Sequence, residues 1–208
     1  MESVRRFTQT IGGVWVPVTF CGNLPPTTGY ETDRTLRFCQ AIRAGRECPL
    51  VLTADNLDCP GARRSFGWAH PHDAKLLEKM TEQIGISEDR VRALLDQTPH
   101  LNSRTVAVLV GSSEKPDVLI SYAQPILIME LLRHFQKLTS ENFQIDLSSI
   151  HSVCAHVTVK SYLSGRICLS FGCGDAREYG SIPRDRLAVG VPYQMARSLS
   201  EALDHELR

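Results

Sequence analysis

Seven cysteines, at positions 21, 39, 48, 59, 154, 168 and 173, carry most of the reactive potential of this 208-residue chain. Two share a local frame. Cys59-Pro60-Gly61-Ala62-Arg63 and Cys173-Gly174-Asp175-Ala176-Arg177 both read Cys-x-x-Ala-Arg, each after a β-rich apolar run. A thiol in a glycine-bearing turn beside a guanidinium is placed for chemistry. Glycine lets backbone N–H groups come close to a sulfur or a bound anion, and the positive charge favours the thiolate, the form that attacks electrophiles and binds metals. Gly61, Arg63, Gly174 and Arg177 are therefore candidate binding residues around Cys59 and Cys173. No Cys-x-x-Cys pair occurs, which argues against a zinc ribbon or thioredoxin-type motif. A joint site must gather single thiols from distant segments.

The elements that would position these residues follow from periodicity and turn chemistry. A β-branched and aromatic run over 14–20 predicts a strand, with Pro17 favouring a sheet edge. Residues 33–44 predict a helix stopped by Gly45, and 49–54 a short strand leading into the first cysteine turn. Helices are expected over 71–85 and from Ser87 onward, the latter with Glu88 and Asp89 at its positive end. Residues 105–111 and 117–123 read as two strands, paired as neighbours or as a hairpin. Pro125 opens a helix over 126–137 that is apolar nearly all round and is the expected centre of the fold. Strands are expected near 153–159, 166–171 and 187–191, and an amphipathic helix over 193–207 closes the chain. Strands and helices without strict alternation predict an α+β fold, a mixed sheet packed against several helices. A single domain spans residues 1–208, and the twin cysteine turns leave open a pseudo-repeat of two lobes.

Composition removes several function classes. The 23 basic and 23 acidic side chains cancel, and no basic patch interleaved with aromatics appears, so nucleic acid is not an expected partner. No run of about 18 apolar residues exists, so no membrane-spanning helix is expected. The opening residues lack the apolar stretch of a signal peptide, and the expected compartment is the cytoplasm, where thiols stay reduced. Glycine-rich dinucleotide or phosphate loops and a Ser-His-Asp order are absent.

Phe38-Cys39-Gln40-Ala41, Cys59-Pro60-Gly61-Ala62 ending in Phe66-Gly67, Asp117 to Ile120 followed by Pro125, Val153-Cys154-Ala155, Tyr162 to Gly165, Leu169 to Cys173 and Val189-Gly190-Val191-Pro192 stand in an order that resembles the domain-of-unknown-function 169 family of uncharacterised prokaryotic proteins. The resemblance implies a selection among the cysteines. Cys39, Cys59, Cys154 and Cys173 match the family pattern, whereas Cys21, Cys48 and Cys168 do not. Many relatives carry a further cysteine three residues after the position of Cys173. Ala176 stands there in this chain, which puts any role for that thiol in doubt.

Four thiolates converging from separate segments can hold a four-iron four-sulfur cluster or a tetrahedral zinc. Zinc sites favour close cysteine pairs, so iron–sulfur is the preferred reading, with Gly61 and Gly174 letting amides approach the sulfides and Arg63 and Arg177 offsetting charge. A redox partner protein or a small-molecule substrate is the implied partner. The alternative is a metal-free small-molecule-binding protein or thiol enzyme, with Cys59 or Cys173 as thiolate and an arginine as anion clamp. Structural zinc is a third reading. Buried cysteine is also a common apolar filler, which suits Cys168 and Cys48. Asp175 is expected to cap its turn. His70 and His72 read as a loop pair, His156 shares a strand face with Cys154, and Trp68 is a candidate pocket wall.

Overall fold

The computed structural model describes residues 2–26, 29–30, 33–70, 72–102, 104–145 and 147–206. Its centre is a six-stranded sheet with every neighbouring pair antiparallel, in the order β2-β3-β1-β4-β6-β5. The strands are β1 (Val16–Cys21), β2 (Leu50–Leu52), β3 (Ala107–Val110), β4 (Val118–Ala123), β5 (Cys168–Ser170) and β6 (Leu187–Pro192). The fold is α+β, as its mixed element order predicts.

Successive strand residues point to opposite faces, and both faces of this sheet are covered. On one side Val118, Ile120 and Tyr122 of β4 meet α2 (Phe38–Ala44), α3 (Pro60–Ser65) and a π-helix (Ser152–Val159), in a core that includes Phe38, Ile42, Phe66 and Val157. On the other side Leu119 and Ala123 meet α1 (Glu2–Ile11), α6 (Pro125–Thr139) and α9 (Tyr193–Glu206) through Phe7, Leu131, Phe135 and Leu199. A smaller cluster joins α4 (Ala74–Ile84) to α5 (Glu88–Asp96) through Leu77, Met80, Val91 and Leu95. Two short helices, α7 (Lys160–Ser164) and α8 (Gly174–Glu178), flank β5. Asp73 accepts the Leu76 N–H to open α4, and Gly85 closes it in the left-handed region at φ 71°. The expected start of that helix at Pro71 and the end of the last helix at Leu207 fall outside the described residues.

Four expectations are corrected. Pro17 lies in an interior strand, between β3 and β4. Its carbonyl accepts from Gly111 just past the end of β3, so the missing donor costs only the last rung of that ladder. The runs at 105–111 and 117–123 form β3 and β4, but they do not pair: β1 inserts between them. The helix α6 is not central, for it buries Ile128, Leu131 and Phe135 and leaves Ile126 and Met129 at the surface. The run at 153–159 is not a strand but the π-helix, buried along nearly all of its length. An apolar β-branched run looks the same as a buried helix by periodicity. The His156 N–H reaches the His151 carbonyl five residues back at 3.3 Å, the spacing of the wider helix, and the Thr158 hydroxyl adds a bond to the Val153 carbonyl at 2.7 Å.

The π-helix lies directly on the sheet because β6 carries Gly190. A Cβ there would meet the Val157 carbonyl oxygen at 2.3 Å. Gly190→Ala must push the π-helix off β6, at a cost of about 3 kcal/mol and hence about 6–12 °C in Tm for a domain of this size. Gly22→Ala, which meets nothing within 4 Å, is the control and should stay within about 0.5 kcal/mol. Thermal unfolding of both variants measures the contrast.

Candidate metal centre

A parallel bridge between Leu36 and Leu57 begins the assembly of the site. The Leu36 N–H donates to Asn56 at 3.0 Å and the Asp58 N–H donates to Leu36 at 2.9 Å, which pins side by side the segments that open α2 and α3. Cys39 is the second residue of α2, and Cys59 stands immediately before α3, where Pro60 at the first position loses a donor that had no intrahelical partner anyway. Phe38 and Phe66 lock the two helices with ring centroids 4.9 Å apart. Tyr122 anchors α2 to the sheet by donating its hydroxyl to the Cys39 carbonyl at 3.1 Å. Cys154 is the third residue of the π-helix, and Cys173 stands immediately before α8, following a turn at Gly172 with φ 90°.

These four cysteines line one cavity of about 480 Å³. Cys21, Cys48 and Cys168 do not: Cys21 ends β1, Cys48 is exposed, and Cys168 is buried in β5 with its thiol toward the Arg166 carbonyl. Opposite the thiols, Leu76, Lys79, Met80, Gln83 and Ile84 of α4 form the second wall.

Every thiol of the set sits at the first turn of a helical segment, where most amide N–H groups are not yet used by the helix, although the Ala155 N–H is shared with the His151 carbonyl at 2.8 Å. The N–H groups of Gln40, Ala62 and Ala155 face the sulfurs of Cys39, Cys59 and Cys154, and the Ser65 hydroxyl also faces Cys154. Burial works against ionisation and wins. Together with the charges of Cys59 and Cys173 it pushes the Cys39 thiol up to about 12, and it raises Cys59 and Cys154 in the same direction. Two thiolates about 6 Å apart repel by roughly 3 kcal/mol at an effective dielectric of about 20, whereas one hydrogen bond to a charged group returns about 1.5–3 kcal/mol. Without a cation beside them Cys39, Cys59 and Cys154 are neutral thiols. Accordingly Cys39 donates to the Asp175 carbonyl at 3.8 Å and Cys154 to the His151 carbonyl at 3.5 Å. With the sulfurs turned to these acceptors, no group of three or more His, Cys, Asp or Glu side chains among the described residues stands ready to hold a metal ion. Ligation requires the thiols to rotate toward the cavity. The donor set itself fits a cluster: four sulfurs on one cavity, three with an amide directed at them.

Charged groups near the thiols differ from those the sequence singles out. Asp175 is held by Arg37 and by Lys79 at 3.6 Å rather than merely capping its turn, and the Arg37 guanidinium lies 4.0 Å from the Tyr179 ring centre. Arg177 is not turned to the cavity. Its guanidinium donates to the carbonyls of Phe171, Ile182, Pro183 and Arg186, stitching the loop after β5 to the loop before β6. Arg63 is partly buried and is not among the cavity residues, and Arg64 is buried, donating to carbonyls at the end of α5. Gly61 lines the cavity, and its missing side chain makes room for the His151 ring, which a Cβ would meet at 2.3 Å. Gly174 lines the cavity with nothing within 4 Å of an added Cβ.

His151 and Gly180 carried no decisive sequence signal. His151 lines the cavity, and burial, with Arg64 and His156 adding to it, depresses its imidazole to about 3, so the ring is neutral. Its backbone holds φ 44°, a left-handed conformation that costs a non-glycine residue about 1–3 kcal/mol. Gly180 covers Cys39 so closely that a Cβ would meet its Sγ at 3.1 Å. His72 pairs with Asp96 at 2.7 Å, away from the cavity, and Trp68 donates to the Thr105 carbonyl at 2.6 Å instead of walling it.

Among the described residues no helix is long and apolar enough to cross a membrane. Similarity to known proteins is narrow. An uncharacterised protein of Methanocaldococcus jannaschii is 24% identical over 187 residues, covering 85% of this chain and 80% of the relative. No solved structure matches the chain. The profile of the domain-of-unknown-function 169 family, described as uncharacterised ArCR, matches residues 15–202 and so takes in all four cavity cysteines together with the sheet and helices that position them: the chain belongs to this family.

Proposed function

We propose that this protein binds an iron–sulfur cluster of the four-iron four-sulfur type through Cys39, Cys59, Cys154 and Cys173, and acts in cytoplasmic redox or sulfur chemistry. The observation that carries the reading is the meeting of four sequence-distant thiols on one cavity, three of them with an amide N–H directed at the sulfur. Amide-to-sulfur hydrogen bonds are a principal means by which proteins hold such clusters and set their potential. When bound, the cluster supplies one-electron transfer or, with an iron left open to solvent, Lewis-acid chemistry.

This chain's own residues do the rest. The helix starts orient the sulfurs, and Arg37 and Lys79 place positive charge beside the negatively charged group that four thiolates would form. A volume of about 480 Å³ falls in the range of organic ligand sites, roughly 300–1,000 Å³, and exceeds what a single zinc needs. With the cluster on the cysteine wall, the apolar wall of α4 is left to a small-molecule substrate or to the surface of an electron donor. The metal-free thiol-enzyme reading finds less support: burial raises the Cys59 thiol, and the Arg177 guanidinium is engaged by four carbonyls.

Protein purified without oxygen and reconstituted with ferrous iron and sulfide should turn brown and carry about four irons and four sulfides per chain. Serine at any of positions 39, 59, 154 or 173 should abolish or sharply reduce loading, while serine at 21 or 48 should not. Colourless wild-type protein would remove the reading, and stoichiometric zinc in place of iron would replace it with a structural zinc site.

A second measurement separates the metal-free alternative. Raised thiols stay protonated at neutral pH, so alkylation of Cys39, Cys59 and Cys154 in metal-free protein should be slow at pH 7 and climb only above the ordinary thiol value of 9.0, with Cys39 following toward about 12. The unfolded chain gives up those protons first, so the stability of the metal-free protein is complete below about pH 9 and falls as pH rises through this window. Fast alkylation of Cys59 at pH 7 would instead favour a reactive thiolate.

A further inference from the structure

Resting on the iron–sulfur reading, we infer that His151 is a fifth member of the site: its imidazole is the nitrogen donor that hydrogen-bonds the group held by the four thiols. Three independent features of the geometry point to it. His151 lines the same cavity as Cys39, Cys59, Cys154 and Cys173. Its Nδ1 is buried and has no hydrogen-bond partner among the described residues, although a buried ring nitrogen ordinarily finds one. The ring is also held in place by a fitted surface, since it occupies the space that a side chain at Gly61 would fill, two residues from Cys59.

The backbone adds a fourth feature. His151 adopts φ 44° immediately before the π-helix, and its carbonyl receives the Ala155 and His156 N–H groups as well as the Cys154 thiol. A left-handed non-glycine residue that both starts the helix bearing Cys154 and turns its ring to the cavity is over-determined by its surroundings, as strained residues at functional sites are. The imidazole and Cys154 are therefore set by one piece of backbone, so a donor on the ring keeps a fixed relation to that sulfur. His156 is not among the cavity residues, so the assignment falls on His151 alone of the two histidines flanking Cys154.

A hydrogen bond to a cluster sulfur favours the reduced, more negative state, so losing it lowers the potential. The test compares wild-type protein, His151→Ala and His151→Asn, each reconstituted with iron and sulfide. Asparagine tolerates the left-handed backbone and keeps an N–H, so it serves as the conservative variant. At a fixed ambient potential His151→Ala should show a reduced-to-oxidised ratio about tenfold below wild type, a shift of about 59 mV for one electron, with His151→Asn close to wild type. Pulsed electron paramagnetic resonance of the reduced, ¹⁵N-histidine-labelled protein should show a histidine nitrogen coupling that both variants lose. An unchanged potential in His151→Ala, or wild-type protein without that coupling, overturns the inference while leaving the cluster in place. Wild-type protein that takes up no iron overturns the parent reading, and this one with it.

Discussion

Four sulfurs around one cavity, those of Cys39 and Cys154 buried and those of Cys59 and Cys173 partly so, impose the constraint from which the rest of the structure follows. As thiolates they would repel one another in a medium that also strips them of water, and the resulting pressure toward protonation is visible in Cys39, Cys59 and Cys154. A polypeptide can tolerate such a cluster in only two ways: keep the thiols neutral, or surround them with fixed positive potential until a cation arrives. This chain provides for both. In the metal-free state Cys39 and Cys154 donate to carbonyls, while the Gln40 and Ala62 amides face the sulfurs of Cys39 and Cys59, and Arg37 and Lys79, sharing Asp175 between them, leave a net positive charge nearby.

Bringing four helix starts to one point is a problem of backbone approach. The sheet solves it by serving as the floor, with Tyr122 tying α2 to β4 and the Leu36–Leu57 bridge setting α2 beside α3. Glycine then allows contacts that a side chain would block. Gly190 lets the π-helix settle on β6, Gly61 admits the His151 ring, and Gly180 closes over Cys39. Arg177 completes the frame by tying the loop that carries Cys173 to the loop before β6. The α4–α5 pair, with its own small core, stands across the cavity and leaves it wide enough for more than a metal.

Much of this was legible in the sequence where local chemistry decided the outcome. The twin Cys-x-x-Ala-Arg frames became two short helices with the cysteine just ahead of each, and Gly85, Ser87 and Pro125 marked helix ends that the structure keeps. Tertiary decisions were not legible. The 152–159 run carries strand-forming residues, yet burial on nearly every side made it a helix, and a moment-free apolar pattern cannot separate the two. Pro17 argued for an edge because its missing donor was assigned to mid-ladder, whereas it falls at a strand end. Arginine after a turn suggested an anion clamp, but nothing local told Arg177 from Arg37: only the fold gives one to carbonyls and the other to Asp175. His151 brackets Cys154 in the sequence together with His156, but its place in the cavity depends on a backbone angle of φ 44° that the sequence does not announce.

The central claim is that the four thiols act as one ligand set. The most direct test is the Mössbauer spectrum of protein reconstituted with ⁵⁷Fe and sulfide under anaerobic conditions. The account predicts a single population of tetrahedral, sulfur-ligated iron in a valence-delocalised four-iron cluster, lost when Cys39, Cys59, Cys154 or Cys173 is changed to serine. Isolated ferrous ions with oxygen or nitrogen coordination, or no bound iron at all, would contradict it.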